Sequence, residues 1–138
     1  MTMPADQNAY NAALIEEFRR DGGRSIGDRP LLLLTTVGRR SGQRRTTPMM
    51  FVRDGDRYLV IASNAGAPKD PDWYRNLVAE PRVGVEVPGD EFEAIATPLA
   101  GDEYHHRWAR IQQQYPFFVE HEQKAGRTIP VVALTKAA

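Results

Sequence analysis

The chain has 138 residues, 18 basic against 18 acidic side chains, 41% apolar residues and no cysteine. That length and apolar fraction fit one compact domain spanning 1–138 with a single core. Balanced charge argues against a general polyanion binder, and the lack of cysteine excludes disulfides, thiolate metal sites, iron–sulfur clusters and cysteine nucleophiles.

From Gln7 to Arg20, Tyr10, Leu14 and Phe18 recur every fourth position with Glu16, Glu17, Arg19 and Arg20 opposite them, which predicts an amphipathic helix over about 7–20. Leu31 to Val37 is short, apolar and partly β-branched, and reads as a buried strand. Its first four residues are an unbroken apolar run, far short of the roughly 18 that a membrane span needs, so a cytoplasmic protein is expected. Thr46 to Arg53 and Tyr58 to Ser63 flank Asp54-Gly55, a hairpin signal. Asp70-Pro71-Asp72 predicts a helix start, with Asp70 as cap and Pro71 at the first helical position, leading into a short helix over Trp73 to Ala79. Val83 to Val87 and Phe92 to Pro98 predict a second hairpin about Pro88-Gly89-Asp90.

Asp102 opens the next helix, in which Tyr104, Trp108, Ile111 and Tyr115 form one apolar stripe. Pro116 interrupts it, Phe117 to Lys124 continues as one or two turns ended by Gly126, and Ile129 to Leu134 reads as a last strand. Strands paired through hairpins, with helices between them, predict an antiparallel barrel or sheet with flanking helices, an α+β class.

Ten residues from Gly38 to Thr47 carry Arg39, Arg40, Arg44 and Arg45 and no acid, leaving 14 basic against 18 acidic side chains elsewhere. Guanidinium forks beside Gly38, Ser41 and Gly42 suit an anion with phosphate or carboxylate groups. Neither a Walker loop nor a Rossmann fingerprint is present. Nucleic acid is not the expected partner, because the rest of the chain is net acidic and the aromatics lie on helical stripes. His105 and His106 are adjacent, so a helix turns them apart, and no metal site is expected.

Three strings carry a family resemblance: Leu32-Leu33-Leu34-Thr35-Thr36-Val37-Gly38-Arg39-Arg40-Ser41-Gly42-Gln43, then Trp73-Tyr74-Arg75-Asn76-Leu77 with Pro81, then Tyr115-Pro116 and Gly126-Arg127-Thr128-Ile129-Pro130-Val131. Together they resemble the deazaflavin-dependent nitroreductase family, which uses coenzyme F420. The resemblance implies a split antiparallel β-barrel of the pyridoxamine oxidase, FMN-binding-like type. It implies that Arg39, Arg40, Ser41, Gly42 and Arg45 hold the phosphate and lactyl-oligoglutamate tail. Pro48, Met50, Ile61, Ala62 and Ser63 then line the ring and substrate pocket, and Trp73 and Asn76 close over the coenzyme. Asn64 stands where family members often have lysine, with Lys69 a nearby cation, and Tyr115, Phe118 and His121 stand where the family often has tyrosines.

A reduced deazaflavin supplies hydride, so the protein must orient the ring and deliver a proton. Ser63, Tyr115 and His121 are the candidate catalytic donors. The expected substrate is a small hydrophobic electrophile: a quinone, nitroaromatic, or conjugated enone or lactone. The alternatives are an FMN-dependent split-barrel oxidoreductase, since FMN brings a single phosphate, and a non-catalytic F420 carrier. The resemblance further implies peripheral membrane contact through the N-terminal helix if the acceptor is a lipid quinone. Monomer and homodimer are both compatible with the sequence.

Overall fold

The computed structural model describes residues 3–21 and 30–137, with side chains for 11–20 and 30–137. Helix α1 (Met3–Asp21) begins four residues before the expected Gln7. Phe18 is buried, and Arg19 donates from Nε and Nη2 to the two carboxylate oxygens of Glu86 at 3.2 and 2.8 Å, which ties the helix to the barrel. The side chain of Tyr10, part of the expected stripe, lies outside the described residues.

Seven strands follow: β1 (Leu31–Val37), β2 (Arg44–Met50), β3 (Val52–Asp54), β4 (Arg57–Ile61), β5 (Arg82–Val87), β6 (Asp90–Pro98) and β7 (Val131–Lys136). They form one antiparallel sheet in the order β2-β1-β5-β6-β7-β4-β3. The two ends of that order, β2 and β3, are separated in the chain by Phe51 alone, so the sheet curls until its edges meet and splits at that point. The continuous strand expected over Thr46 to Arg53 is therefore two strands with different partners: Met50 lies opposite Leu31, and Val52 opposite Leu59. The Phe51 N–H turns away to donate to the Pro30 carbonyl at 3.2 Å, and its buried ring anchors the bend.

Both predicted hairpins form. The second has a tighter loop than expected, Pro88-Gly89, because Asp90 already pairs with Val87, and Gly89 supplies the φ of +83° that this two-residue turn needs.

Alternation along the strands divides the core in two. Leu32, Leu34, Val85, Val60 and Leu134 face inward, and Leu77 of α2 (Asp72–Ala79), fully buried, joins them. β4 and β7 are buried on both faces, so Leu59, Ile61, Val131 and Ala133 project outward beneath α3 (Gly101–Gln114) and α4 (Phe117–Ala125). The predicted stripe works as far as Ile111: Tyr104, Trp108 and Ile111 are buried, and Tyr115 lies one residue past α3, half-buried. The Tyr104 hydroxyl donates to the Ile129 carbonyl at 2.7 Å, and Trp108 Nε1 donates to Glu122 at 2.7 Å, locking α3 to the strand approach and to α4.

The helix start at Asp70-Pro71-Asp72 is corrected in detail. Pro71 occupies the cap position, α2 begins at Asp72, and no side chain caps it. The Asp70 carboxylate accepts instead from Arg127 at 2.7 Å, and an arginine fork outcompetes a backbone N–H for a carboxylate.

Candidate functional site

The basic turn closes on itself. Gly42 N–H donates to the Gly38 carbonyl at 2.8 Å, Gly38 N–H to Gln43 at 2.7 Å, and Gln43 N–H to Ser41 Oγ at 3.1 Å. A Cβ at Gly38 would stand 2.6 Å from Ser41 Oγ, so a larger residue there would displace the hydroxyl that closes the turn. Asn76 on α2 accepts from the Arg39 backbone N–H at 3.1 Å and from its Nη1 at 2.9 Å, while its Nδ2 donates to Thr36 Oγ1 on β1 at 3.5 Å. Asn76 is only 4% exposed, so this buried amide is the rivet between turn, helix and sheet.

Gly38, Arg39, Arg40, Ser41, Arg45, Asp72 and Asn76 line an open hollow of about 310 Å³. Arg39 reaches Asp72 at 3.4 Å, whereas Arg40 and Arg45 are exposed and have no partner among the described residues. Three guanidiniums face one carboxylate, a surplus that an anionic ligand would neutralise.

The expected group of four arginines is thus three plus one. Strand alternation sends Arg44 to the opposite face, against Gly84 and into the field of Glu93, whose carboxyl sits below its ordinary value chiefly through its bond from Arg82 and in smaller part through Arg44.

A second group gathers at the barrel split. Met50 at the end of β2, Ile61 at the end of β4, and Tyr115, Phe117 and Phe118 belong to one apolar cluster. Pro48 lies two residues before Met50 on the same face of β2, while Ala62 and the largely buried Ser63 follow Ile61. Asn64 and Ala65 then adopt left-handed φ of 50° and 53°, followed by Gly66 at 83°. Non-glycine residues in that region are uncommon and cluster where function constrains backbone. Asn64 does not extend toward the basic turn, because its Nδ2 donates to the Lys69 carbonyl within its own loop at 3.1 Å.

α4 packs directly on this loop. A Cβ on Gly66 would lie 3.4 Å from the Cα of His121 and 3.0 Å from Cδ of Lys124, so glycine admits the helix and brings His121 beside the segment carrying Ser63. The His121 ring stands edge-on to Phe117 and Phe118, at 5.4 and 5.7 Å, and its Nδ1 is buried with no hydrogen-bond partner among the described residues. Trp73 on α2 is half-buried against the barrel interior.

The sequence residues therefore fall into an anionic-handle group (Arg39, Arg40, Ser41, Arg45, Asn76) and an apolar group (Met50, Ile61, Tyr115, with Ser63 and His121 adjoining). Asp72, at the rim of the hollow, was not singled out for the site, because its closeness to Arg39 exists only once α2 docks on the turn. A larger cavity of about 600 Å³ lies elsewhere, between the β3–β4 hairpin and α3, lined by Asp54, Arg107, Arg110 and Gln114 among others. The Asp54 carboxylate there is already held by Arg57 and Arg107, so its charge is satisfied internally.

The chain is similar to known proteins in both sequence and fold. Residues 10–136 match the model of the family described as F420H(2)-dependent quinone reductase. An F420H(2)-dependent quinone reductase of Mycobacterium tuberculosis (strain ATCC 25618 / H37Rv) is 38% identical over 120 residues, covering 85% of this chain and 80% of that protein. The solved structure of an F420-H2 dependent reductase, FDR-A, is 37% identical with a TM-score of 0.70, covering 81% of this chain and 99% of that one. A pyridoxamine 5'-phosphate oxidase-like protein from Listeria innocua, 15% identical with a TM-score of 0.55 over 78% of this chain and 84% of its own, shares the split-barrel fold. With a family match over residues 10–136 and a 38% identical relative covered over 80% of its length, the chain belongs to the F420H(2)-dependent quinone reductase family.

Proposed function

We propose that this F420-dependent oxidoreductase delivers hydride to a quinone bound at the barrel split, and that nitroaromatics and conjugated enones or lactones are accepted by the same apolar pocket. The observation that carries the reading is the hollow in which Arg40 and Arg45 stand beside Gly38 and Ser41 with no partner among the described residues. The donor set fits F420: a phosphodiester and several carboxylates match several fixed cationic forks, each desolvated contact contributing about 1.5–3 kcal/mol. FMN, with one phosphate, satisfies fewer of them.

When bound, the coenzyme supplies hydride; the chain's residues do the rest. Arg40 and Arg45 hold the anionic tail, and Arg39 braces the turn through Asn76. Met50, Ile61 and Tyr115 belong to one apolar cluster at the barrel split, and such a surface would exclude water and favour a flat hydrophobic acceptor. Ser63, Tyr115 and His121 are the proton donors to the acceptor oxygen. With Nδ1 of His121 sealed, exchange at this residue runs through Nε2. The match to a family of reductases favours a reductase over a carrier.

Fluorescence titration of the purified protein with F420, FMN and a short DNA duplex tests the reading, followed by coenzyme oxidation with a menaquinone analogue, a nitroarene and an unsaturated lactone. Tight binding of F420 alone and accelerated oxidation by the quinone are expected. Failure to bind F420 overturns the reading, and binding without turnover across the acceptors makes the protein a carrier.

A further inference from the structure

Arg127 lies in the Gly-Arg-Thr-Ile-Pro-Val string but outside both groups described above. Its guanidinium is 16% exposed and makes six hydrogen bonds, five of them to the segment between β4 and α2. Nε donates to the Ala67 carbonyl at 3.1 Å, and Nη1 to Asp70 at 2.7 Å and to its neighbour Thr128 at 3.3 Å. Nη2 is shared among the carbonyls of Ala62, Ser63 and Lys69 at 3.2, 3.3 and 3.0 Å. One planar cation thus gathers four carbonyls of a ten-residue loop that contains the left-handed Asn64 and Ala65.

The orientation of those carbonyls has a consequence on the other side of the chain. The peptides are trans, so each N–H points opposite its C=O. Holding the Ala62 and Ser63 carbonyls on Arg127 sends the N–H groups of Ser63 and Asn64 away from it. Ser63 is right-handed (φ −74°, ψ −27°) and Asn64 left-handed, the sequence of conformations that turns successive N–H groups toward one point. Lysine cannot replace the fork, because an ammonium lacks the planar array that reaches several carbonyls at once.

We infer that Arg127, buttressed by Asp70, is a positioning residue that fixes the backbone at Ser63 and Asn64 against the polar edge of the bound deazaflavin ring. The inference rests on the F420 reading above and assigns Arg127 to the ring end of the coenzyme, in contrast to the tail end held by Arg40 and Arg45.

The test uses two probes, F420 and the same deazaflavin without its phosphate and glutamate tail, titrated against wild type, Arg127→Lys, Asp70→Asn and Arg45→Ala. Arg127→Lys is expected to unfold cooperatively with an unchanged far-ultraviolet spectrum and to weaken both probes by the same factor, about tenfold or more. It should lower kcat for quinone reduction while leaving KM for the quinone within about twofold. Asp70→Asn is expected to do the same more weakly, with faster amide exchange over residues 62–70, and it serves if Arg127→Lys does not fold. Arg45→Ala should weaken F420 and leave the tail-less probe unchanged.

Wild-type binding of both probes by Arg127→Lys and by Asp70→Asn overturns the inference while the function stands. Weakening of F420 alone overturns it as well, since Arg127 would then act on the tail. If wild type binds neither probe, the function and the inference fall together.

Discussion

Arg44 and Arg45 are neighbours of the same type, yet strand geometry gives them different work. Arg45 opens into the hollow with no partner among the described residues, while Arg44 lies against Gly84 near Glu93. Arg45→Ala and Arg40→Ala are each expected to weaken F420 by about ten- to hundredfold, the equivalent of one charge-assisted contact. Arg44→Ala should stay within about twofold, and added salt should weaken wild-type binding because the hollow is open to solvent. Fluorescence titration checks all of these. His121 gives a contrast between stability and function. Its buried Nδ1 has no partner among the described residues, so His121→Phe should raise stability to urea by about 1 kcal/mol while lowering quinone turnover. A loss of stability on that substitution would contradict the assignment of an unsatisfied nitrogen.

Among the elements, α2 does two jobs with adjacent residues. Leu77 fills the barrel interior, and Asn76 rivets the basic turn. Leu77→Ala is expected to cost about 2–5 kcal/mol in urea unfolding, as for other fully buried leucines. α3 contributes Tyr104, whose phenol is pushed up to about 12 from the usual 10.0 first by burial and then by the charge of Glu122. A raised phenol pKa means that its stabilisation is complete below pH 10 and is lost as pH climbs through 12. Tyr104→Phe should cost about 1 kcal/mol near neutrality by losing the bond to Ile129, and should remove part of the alkaline unfolding limb. Helix positions were readable in advance from apolar spacing and from Pro116 and Gly126. The break at Phe51 was not, because Met49 to Val52 is an unbroken apolar run with no turn residue and a change of strand partner leaves no local signature.

For the molecule as a whole, closure of the barrel depends on bringing β2 and β3 to the same seam, and the β3–β4 hairpin is held to α3 by charge. Asp54 accepts from Arg57 and from Arg107, while Arg57 also donates to Glu103 at 3.0 Å. The bond from Arg57, ahead of the contribution from Arg107, keeps the Asp54 carboxyl below its ordinary value. A depressed carboxyl stabilises the fold above its unfolded pKa of about 4, and that contribution disappears as pH falls toward the folded value. Asp54→Asn should therefore lower stability at pH 7 and leave a shallower acid limb below about pH 4, read from urea midpoints across pH. No helix among the described residues is long and apolar enough to cross a membrane, and α1 carries Arg19 in a paired bond to Glu86.

Local chemistry alone settled the helices, the two hairpins and the concentration of guanidinium charge at one turn, since spacing, turn residues and charge density are properties of short stretches of chain. The Gly38–Gln43 string and the Trp73–Asn76 string carried the family resemblance before any coordinates, and the family match over residues 10–136 bears that resemblance out. Folding in three dimensions sorted the arginines by face, seated Asn76 against Arg39, swung Asp70 away from its helix, and set Arg127 behind Ser63. Those outcomes join residues separated by about 35 to 65 positions, and a contact at that distance is determined by which strands pair and where the sheet closes, which no short window of sequence contains.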